Sequence, residues 1–126
     1  MHMLRVRQIV LDAADIDSVA EFWSHVLGWE IARRSADWIS LRGDGIGLAI
    51  QLAPQHRRPD WPDGQIPQQI HLDIPVDDIE AAEQRVLERG GTKLAERPSD
   101  DPPFRIYADP AGHPFCLEYG ASTGDR

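Results

Sequence analysis

Two segments of the chain carry apolar residues at helical spacing, recurring at i, i+3, i+4 and i+7. In the first segment these residues are Ile16, Val19, Ala20, Trp23, Val26 and Leu27. Asp15 precedes them as a candidate N-cap and Gly28 follows as a stop. In the second segment, 77–89, they are Ile79, Ala82, Val86 and Leu87, ahead of two glycines. Each segment is predicted to form an amphipathic helix.

Short runs rich in β-branched and apolar residues surround both helices and alternate with turn-forming residues. Around the first helix they predict strands at 4–11, 29–34, 37–41 and 46–52. Around the second they predict strands at 69–74, 92–97, 104–108 and 113–119. The polar stretch 12–15 is assigned to the turn that enters the first helix, and 109–112 to a turn between the last two strands. Each half of the chain is therefore predicted to be a βαβββ module.

The two halves look like one repeated unit. A shift of 63 residues carries Gln8 onto His71 and the N-cap aspartate of the first helix onto that of the second. A shift of 67 residues carries 48–52 onto 115–119, because the loops of the second half are longer. A single module would leave one sheet face and one helix stripe uncovered, so pairing two modules would bury both.

These patterns predict one domain over residues 1–126. Its first module spans about 4–53 and its second about 68–120, followed by a tail at 121–126. The connection at 54–67 is rich in proline and contains Trp61, which could belong to a mobile lid.

Composition narrows the partners of the chain. Its 126 residues are 41% hydrophobic and 27% charged, which is typical of one globular domain. The formal net charge of -8 disfavours binding to nucleic acid or to an anionic membrane. The sequence also lacks an apolar run of roughly 18 residues and a recognisable signal peptide, so a cytoplasmic location is expected. The single cysteine, Cys116, excludes an internal disulfide and fits a reducing compartment.

Three motifs in a fixed order support a family resemblance. They are the helix segment 11–28 with Phe22-Trp23 before Val26-Leu27-Gly28-Trp29, the strand-to-helix entry His71-Leu72-Asp73-Ile74-Pro75-Val76-Asp77-Asp78, and the turn Tyr107-Ala108-Asp109-Pro110-Ala111-Gly112-His113. Together they resemble the vicinal oxygen chelate superfamily of glyoxalases, bleomycin-resistance proteins and extradiol dioxygenases, over about residues 5–120. The resemblance implies an α+β fold in which two βαβββ modules form curved mixed sheets around a shared cleft. It also implies a homodimer.

In that superfamily a metal is held by side chains from the first and last strands of each module. The resemblance places these ligand positions at Gln8, Gln51, His71 and Glu118. Strand alternation agrees, because Gln51 and Glu118 each lie between apolar residues and would face the concave side. One imidazole, one carboxylate and two amide oxygens suit Ni, Co, Mn, Fe(II) or Zn better than a thiolate-seeking ion. A site without metal is the alternative.

Two functions follow from this resemblance. The first is a metal-dependent lyase, isomerase or epimerase that acts on a small oxygenated substrate through an ene-diolate, with Glu118 as the base. The second is a metal-free protein of the bleomycin-resistance kind that sequesters an aromatic or cationic molecule, which the negative net charge favours. Gln8 stands where extradiol dioxygenases have histidine, and Gln51 where glyoxalase I generally has glutamate. A third alternative is a decayed site that now serves regulation or interaction.

Three further residues have open roles in the sequence. Asp73 shares a strand face with His71 and is either a partner that orients the imidazole or a polar residue at the strand edge. Cys116 shares the face of Glu118 and is interpreted as a packing residue, with a place in the cleft lining as the alternative. His113 is interpreted as a loop residue.

Overall fold

The computed structural model describes residues 4–60 and 64–120. Their helices and strands, in chain order, are β1 (Gln8–Ala13), α1 (Ile16–Leu27), β2 (Glu30–Arg34), β3 (Trp38–Arg42), β4 (Gly47–Leu52), β5 (Leu72–Pro75), α2 (Ile79–Glu88), β6 (Thr92–Arg97), β7 (Phe104–Ala108) and β8 (Pro114–Glu118). The predicted α+β class and the order βαβββ-βαβββ are confirmed. Trp61 lies outside the described residues. Neither described helix has the length and apolar character needed to cross a bilayer.

The chain divides into two compact units, residues 1–56 and 57–126, referred to below as the first and second unit. The sheet of the first unit has the strand order β1-β4-β3-β2, and that of the second has the order β5-β8-β7-β6. In each sheet the strand before the helix runs parallel to its neighbour, while the remaining pairs are antiparallel. Both sheets are therefore mixed, and each helix connects two parallel strands that lie at opposite edges of the sheet.

The repeat predicted from the sequence extends to the hydrogen-bond register. Val10 of β1 lies opposite Ala49 of β4, and Asp73 of β5 lies opposite Cys116 of β8. Adding 63 to the first residue number and 67 to the second converts one pair into the other, and the remaining β5–β8 pairs obey the same rule. Each unit also has an irregularity in the pairing of its outer strand, β2 or β6. The two units are thus built on one backbone plan.

Helix α1 forms where the sequence predicts it. The Asp15 carboxylate accepts a hydrogen bond from the Ser18 backbone amide at 3.2 Å, and Gly28 ends the helix in the left-handed conformation with φ 70°. Its buried residues are Ile16, Val19, Ala20, Phe22 and Trp23. They pack against β3 and β4, whose inward residues are also buried. Each fully buried large apolar side chain contributes roughly 1.5–3 kcal/mol, so this interface is the core of the first unit.

Helix α2 is similarly capped but packs differently. Asp78 accepts hydrogen bonds from the amides of Glu80 and Ala81, each at 3.1 Å. Val86 is the fully buried residue of α2, whereas Leu87, predicted as a core residue, is 45% exposed. A rotation of about 100° per residue turns Leu87 away once Val86 faces the sheet. The prediction for Leu87 was therefore wrong.

The boundaries of the strands that precede the helices also differ from prediction. β1 begins at Gln8 rather than residue 4 and continues through Asp12 and Ala13, which the sequence assigned to a turn. These two residues keep the strand conformation because they lie opposite Gln51 and Leu52 in the parallel β1–β4 ladder. Pairing with a distant strand thus outweighs the local polar pattern.

Candidate functional site

The sheet of the second unit has two chemically different faces. One face carries Arg105 and Tyr107, which bond to residues of α2. The opposite face carries Asp73, Cys116 and Glu118, because successive strand residues alternate between faces. The candidate site lies on this second face, away from the helix.

A pocket of about 190 Å³ opens on that face. It is lined by Gln68, His71, Arg97, Phe104, Ile106, Pro114 and Cys116. The apolar walls come from Phe104, Ile106 and Pro114. The polar groups come from His71, Arg97 and Gln68. An apolar enclosure with a few convergent polar groups is the usual form of a small-molecule site.

His71 has a carboxylate partner within the same unit. Its Nε2 lies 3.3 Å from Oδ1 of Asp73, and both side chains are partly exposed, at 38% and 41%. Of the two roles considered for Asp73, the structure therefore supports contact with His71. A carboxylate in this position orients the imidazole ring and favours the tautomer with a proton on the facing nitrogen.

Cys116 approaches the same pair. Donor atoms of His71, Asp73 and Cys116 all lie within 4.8 Å of one another, and Cys116 is 5% exposed. Its place in the middle of β8, directly opposite Asp73, fixes this proximity through the backbone. The sequence shows that Cys116 faces the same side as Glu118, but the β5–β8 register decides that Cys116 is the neighbour of His71.

Glu118 lies further along the same face. Glu118 is opposite Pro75 in the β5–β8 ladder. Pro75 is four residues after His71, so the backbone positions of His71 and Pro75 are roughly 13 Å apart at about 3.3 Å per residue. Ligand atoms that share one ion lie within roughly 4.5 Å of each other, given metal–ligand bonds of about 2.0–2.3 Å. The His71 and Glu118 side chains would have to close the remaining distance, so their binding of a common ion stays a prediction, whereas Cys116 already lies beside His71.

The glutamines of the first unit show the same separation. Gln8 lies opposite Gly47, while Gln51 lies opposite Asp12, four residues further along β1. Both glutamines are on the sheet face opposite α1, as alternation predicts, but they are not neighbours in that sheet. Metal binding by Gln8, Gln51, His71 and Glu118 together stays a prediction.

A charged cluster on the helix face of the second sheet holds α2 in place. Arg105 lies 3.0 Å from Glu83 and 2.8 Å from Glu80, and the Tyr107 hydroxyl donates to Glu83 at 2.8 Å. Burial raises the pKa of Glu83, but hydrogen bonds from Tyr107, Lys93 and Arg105 outweigh it, so the net pKa is lowered. Burial, followed by the hydrogen bond to Glu83, raises the pKa of Tyr107. Glu83 therefore stays charged and Tyr107 stays neutral, which suits a structural contact.

The turn before β8 is held by a buried carboxylate. Asp109 is fully buried and accepts hydrogen bonds from the amides of Ala111 and His113, both at 2.9 Å. Its second oxygen lies 2.8 Å from Nδ1 of His113. His113 is therefore part of the turn, as the sequence indicated.

The chain is similar to a known protein family and to several solved structures. The family model described as a glyoxalase-like domain matches residues 8–118. A glyoxalase-related enzyme from Fulvimarina pelagi is 22% identical, with a TM-score of 0.71 over 94% of this chain and 89% of that one. A fosfomycin resistance protein from Mesorhizobium loti is 17% identical, with a TM-score of 0.69 over 98% and 97%.

A glyoxalase/bleomycin resistance protein/dioxygenase family enzyme from Burkholderia phytofirmans is 13% identical, with a TM-score of 0.71 over 89% of this chain and 95% of that one. Comparison with curated protein sequences found no match. At these identities the solved structures establish the shared fold and no common activity.

Proposed function

Because the chain belongs to the glyoxalase-like domain family, we propose that it binds a small, negatively charged, oxygenated substrate in the pocket of the second unit and acts on it as a lyase or isomerase. The observation that carries this proposal is that Arg97 and His71, the latter in contact with Asp73, line one pocket with apolar walls. The fold alone does not choose an activity, since its structural neighbours include both a glyoxalase-related enzyme and a resistance protein.

The charge of the pocket favours an anionic ligand. Arg97 is the formally charged residue among the described residues that line it, while the Asp73 carboxylate is outside the lining and contacts His71. A guanidinium binds a carboxylate or phosphonate through paired hydrogen bonds, which fixes the orientation of the ligand. The net charge of -8 belongs to the whole chain and favours a cationic ligand, but the local charge decides what the pocket binds.

The proposed chemistry places His71 at an oxygen of the substrate. When a proton leaves a carbon next to a carbonyl group, negative charge develops on the carbonyl oxygen. In its imidazolium form, with one N–H directed to Asp73, His71 can donate its other N–H to that oxygen, Arg97 would hold the acid group of the same molecule, and the carbon-bound proton would pass to solvent water. Glu118, the base expected from the family resemblance, is not among the residues that line the pocket.

The test combines binding with proton exchange. Small 2-oxo and 2-hydroxy acids would be titrated by calorimetry, and exchange of the adjacent carbon-bound proton followed by NMR in D₂O. We expect binding of the acids, and a loss of roughly tenfold or more in affinity for Arg97→Gln. Arg89→Gln, an exposed arginine at the end of α2, is the matched control and should bind normally.

The sequestering function predicts the opposite selectivity. Phe104, Ile106 and Pro114 could accept a flat ring, and this is the observation in its favour. Tight binding of planar cations without binding of acids would support sequestration and contradict the proposal. Binding of acids with no proton exchange in any of them would leave a binding protein and remove the lyase or isomerase activity.

A further inference from the structure

The geometry points to a thiolate-containing metal site formed by His71, Asp73 and Cys116, which would bind Zn²⁺ or a similar borderline ion such as Co²⁺. This site differs from the ligand set that the family resemblance implies, because Cys116 replaces Glu118 and neither glutamine takes part. The inference deepens the proposed function and rests on it for the substrate that the metal would face.

The three side chains are placed by the backbone of one unit. Asp73 and Cys116 are direct partners in the parallel β5–β8 ladder, and His71 lies two residues before Asp73 on the same face. Their donor atoms lie within 4.8 Å of one another, and the His71–Asp73 distance is 3.3 Å. Ligand atoms in a tetrahedral zinc site are about 3.3–3.8 Å apart, so adjustments of roughly 1 Å would complete the geometry.

The chemistry of the three donors selects the ion. A thiolate disfavours Mg²⁺ and Ca²⁺, which take oxygen ligands, and imidazole with thiolate favours Zn²⁺. One thiolate and one carboxylate would neutralise the two positive charges of the ion, so its burial beside Cys116 would be tolerated. Metal binding would also deprotonate the thiol, as coordination generally does.

The surroundings of the site suit a catalytic ion rather than a structural one. Three protein ligands leave a fourth position of the tetrahedron for water or substrate. His71 and Cys116 both line the pocket that contains Arg97, so a ligand held by Arg97 would lie beside that position. The ion would supply the positive charge that the proposed function assigns to the proton of His71.

Cobalt spectroscopy tests the ligand set directly. Chelator-treated full-length protein would be titrated with Co²⁺, and the near-ultraviolet sulfur-to-cobalt charge-transfer band and visible bands recorded, followed by displacement with Zn²⁺. We expect one equivalent of Co²⁺ and both band types in the unaltered protein. Cys116→Ser should lose the charge-transfer band, and Asp73→Asn should lower the affinity by roughly tenfold or more.

Glu118→Gln is the control that separates this site from the family set, because it removes a carboxylate of the same sheet face and keeps the side-chain size. It should keep the charge-transfer band and the affinity, with circular dichroism showing that every variant folds. Absence of Co²⁺ and Zn²⁺ binding in the unaltered protein, an unchanged spectrum in Cys116→Ser, or loss of binding in folded Glu118→Gln would each overturn the inference. The proposed function has a separate test: if acids bind and exchange protons while neither Co²⁺ nor Zn²⁺ binds, the metal site falls and the activity stands.

Discussion

At the scale of single residues, the second unit is organised by charged side chains that its sheet buries. The side chain of Arg105 is 11% exposed and is surrounded by carboxylates of α2 and β6. A buried charge is tolerated when it is paired, and removing one partner leaves the other uncompensated. Glu83 is the central partner because it contacts Arg105, Tyr107 and Lys93.

Glu83→Gln is expected to destabilise the protein by roughly 1–3 kcal/mol near neutral pH, since the charge-assisted hydrogen bonds weaken. Because the pKa of Glu83 is lowered in the folded state, its stabilising effect is present above the ordinary value of 4.5 and is lost as pH falls through the folded pKa. Urea unfolding at several pH values should show the difference between wild type and variant shrinking in acid. Glu80→Gln, at a largely exposed position, should cost less, and an equal or larger loss would contradict this account.

Asp109→Ala is expected to cost about 2–4 kcal/mol, because two backbone amides and the His113 ring lose their buried acceptor. Thermal and urea unfolding would measure the loss. Asp44→Ala, in the exposed loop between β3 and β4, should stay within about 0.5 kcal/mol of the wild type. Equal effects of the two substitutions would show that burial of Asp109 is not what stabilises the turn.

At the scale of elements, the two helices begin alike and differ in what holds them. Both have an aspartate N-cap whose carboxylate accepts amide hydrogen bonds. α1 then buries five residues against its sheet, whereas α2 buries Val86 and relies on ion pairs to Arg105. Apolar burial therefore stabilises the first unit to a greater extent, and the second unit is more sensitive to charge and pH.

Gly28→Ala is expected to destabilise the protein by about 1 kcal/mol. A Cβ at this position meets nothing within 4 Å, so the loss comes from the positive φ of 70° and not from a clash. Gly28→Asn should cost less, because asparagine tolerates the left-handed conformation. Chemical denaturation of the two variants would check this, and a larger loss for asparagine than for alanine would refute the conformational explanation.

At the scale of the whole molecule, the two units share one backbone plan but carry different chemistry. The places of His71, Asp73 and Cys116 are taken in the first unit by Gln8, Val10 and Ala49, according to the shifts of 63 and 67 residues. Val10 and Ala49 have no metal-binding group. The two units therefore share the backbone scaffold, but the Cys116 thiol and the Asp73 carboxylate have no counterpart at the equivalent positions of the first unit.

Dimerisation, which the family resemblance implies, stays a proposal at this scale. Val10 is 40% exposed on β1, which lies at one edge of its sheet, and an exposed apolar residue on an edge strand favours association with a second copy. Sedimentation is expected to give about twice the chain mass of 14.2 kDa, with Val10→Lys shifted towards one chain. Val6→Lys, exposed but outside the strand, is the matched control. A single-chain mass for the unaltered protein at all concentrations would rule the dimer out.

The sequence by itself determined the elements and their order. Helical spacing, aspartate N-caps and the glycine that ends α1 are local signals, and β6 and β7 occupy the predicted ranges. The repeat was also visible, because both modules keep the same spacing of residues. His71 was identified as a site residue from its motif, and its contact with Asp73 followed from alternation along one strand.

Only the tertiary structure decided which residues from distant parts of the chain meet. The extension of β1 to Ala13 and the place of Cys116 beside His71 both depend on the register of parallel strands that are some forty residues apart in sequence. The polar packing of α2 likewise depends on Arg105, a residue of another element. Periodicity determines which face of a strand a side chain occupies, but the hydrogen-bond ladder determines its neighbour on the next strand. A shift of the β5–β8 register by two residues would leave every side chain on its face and would place Glu118 instead of Cys116 opposite Asp73.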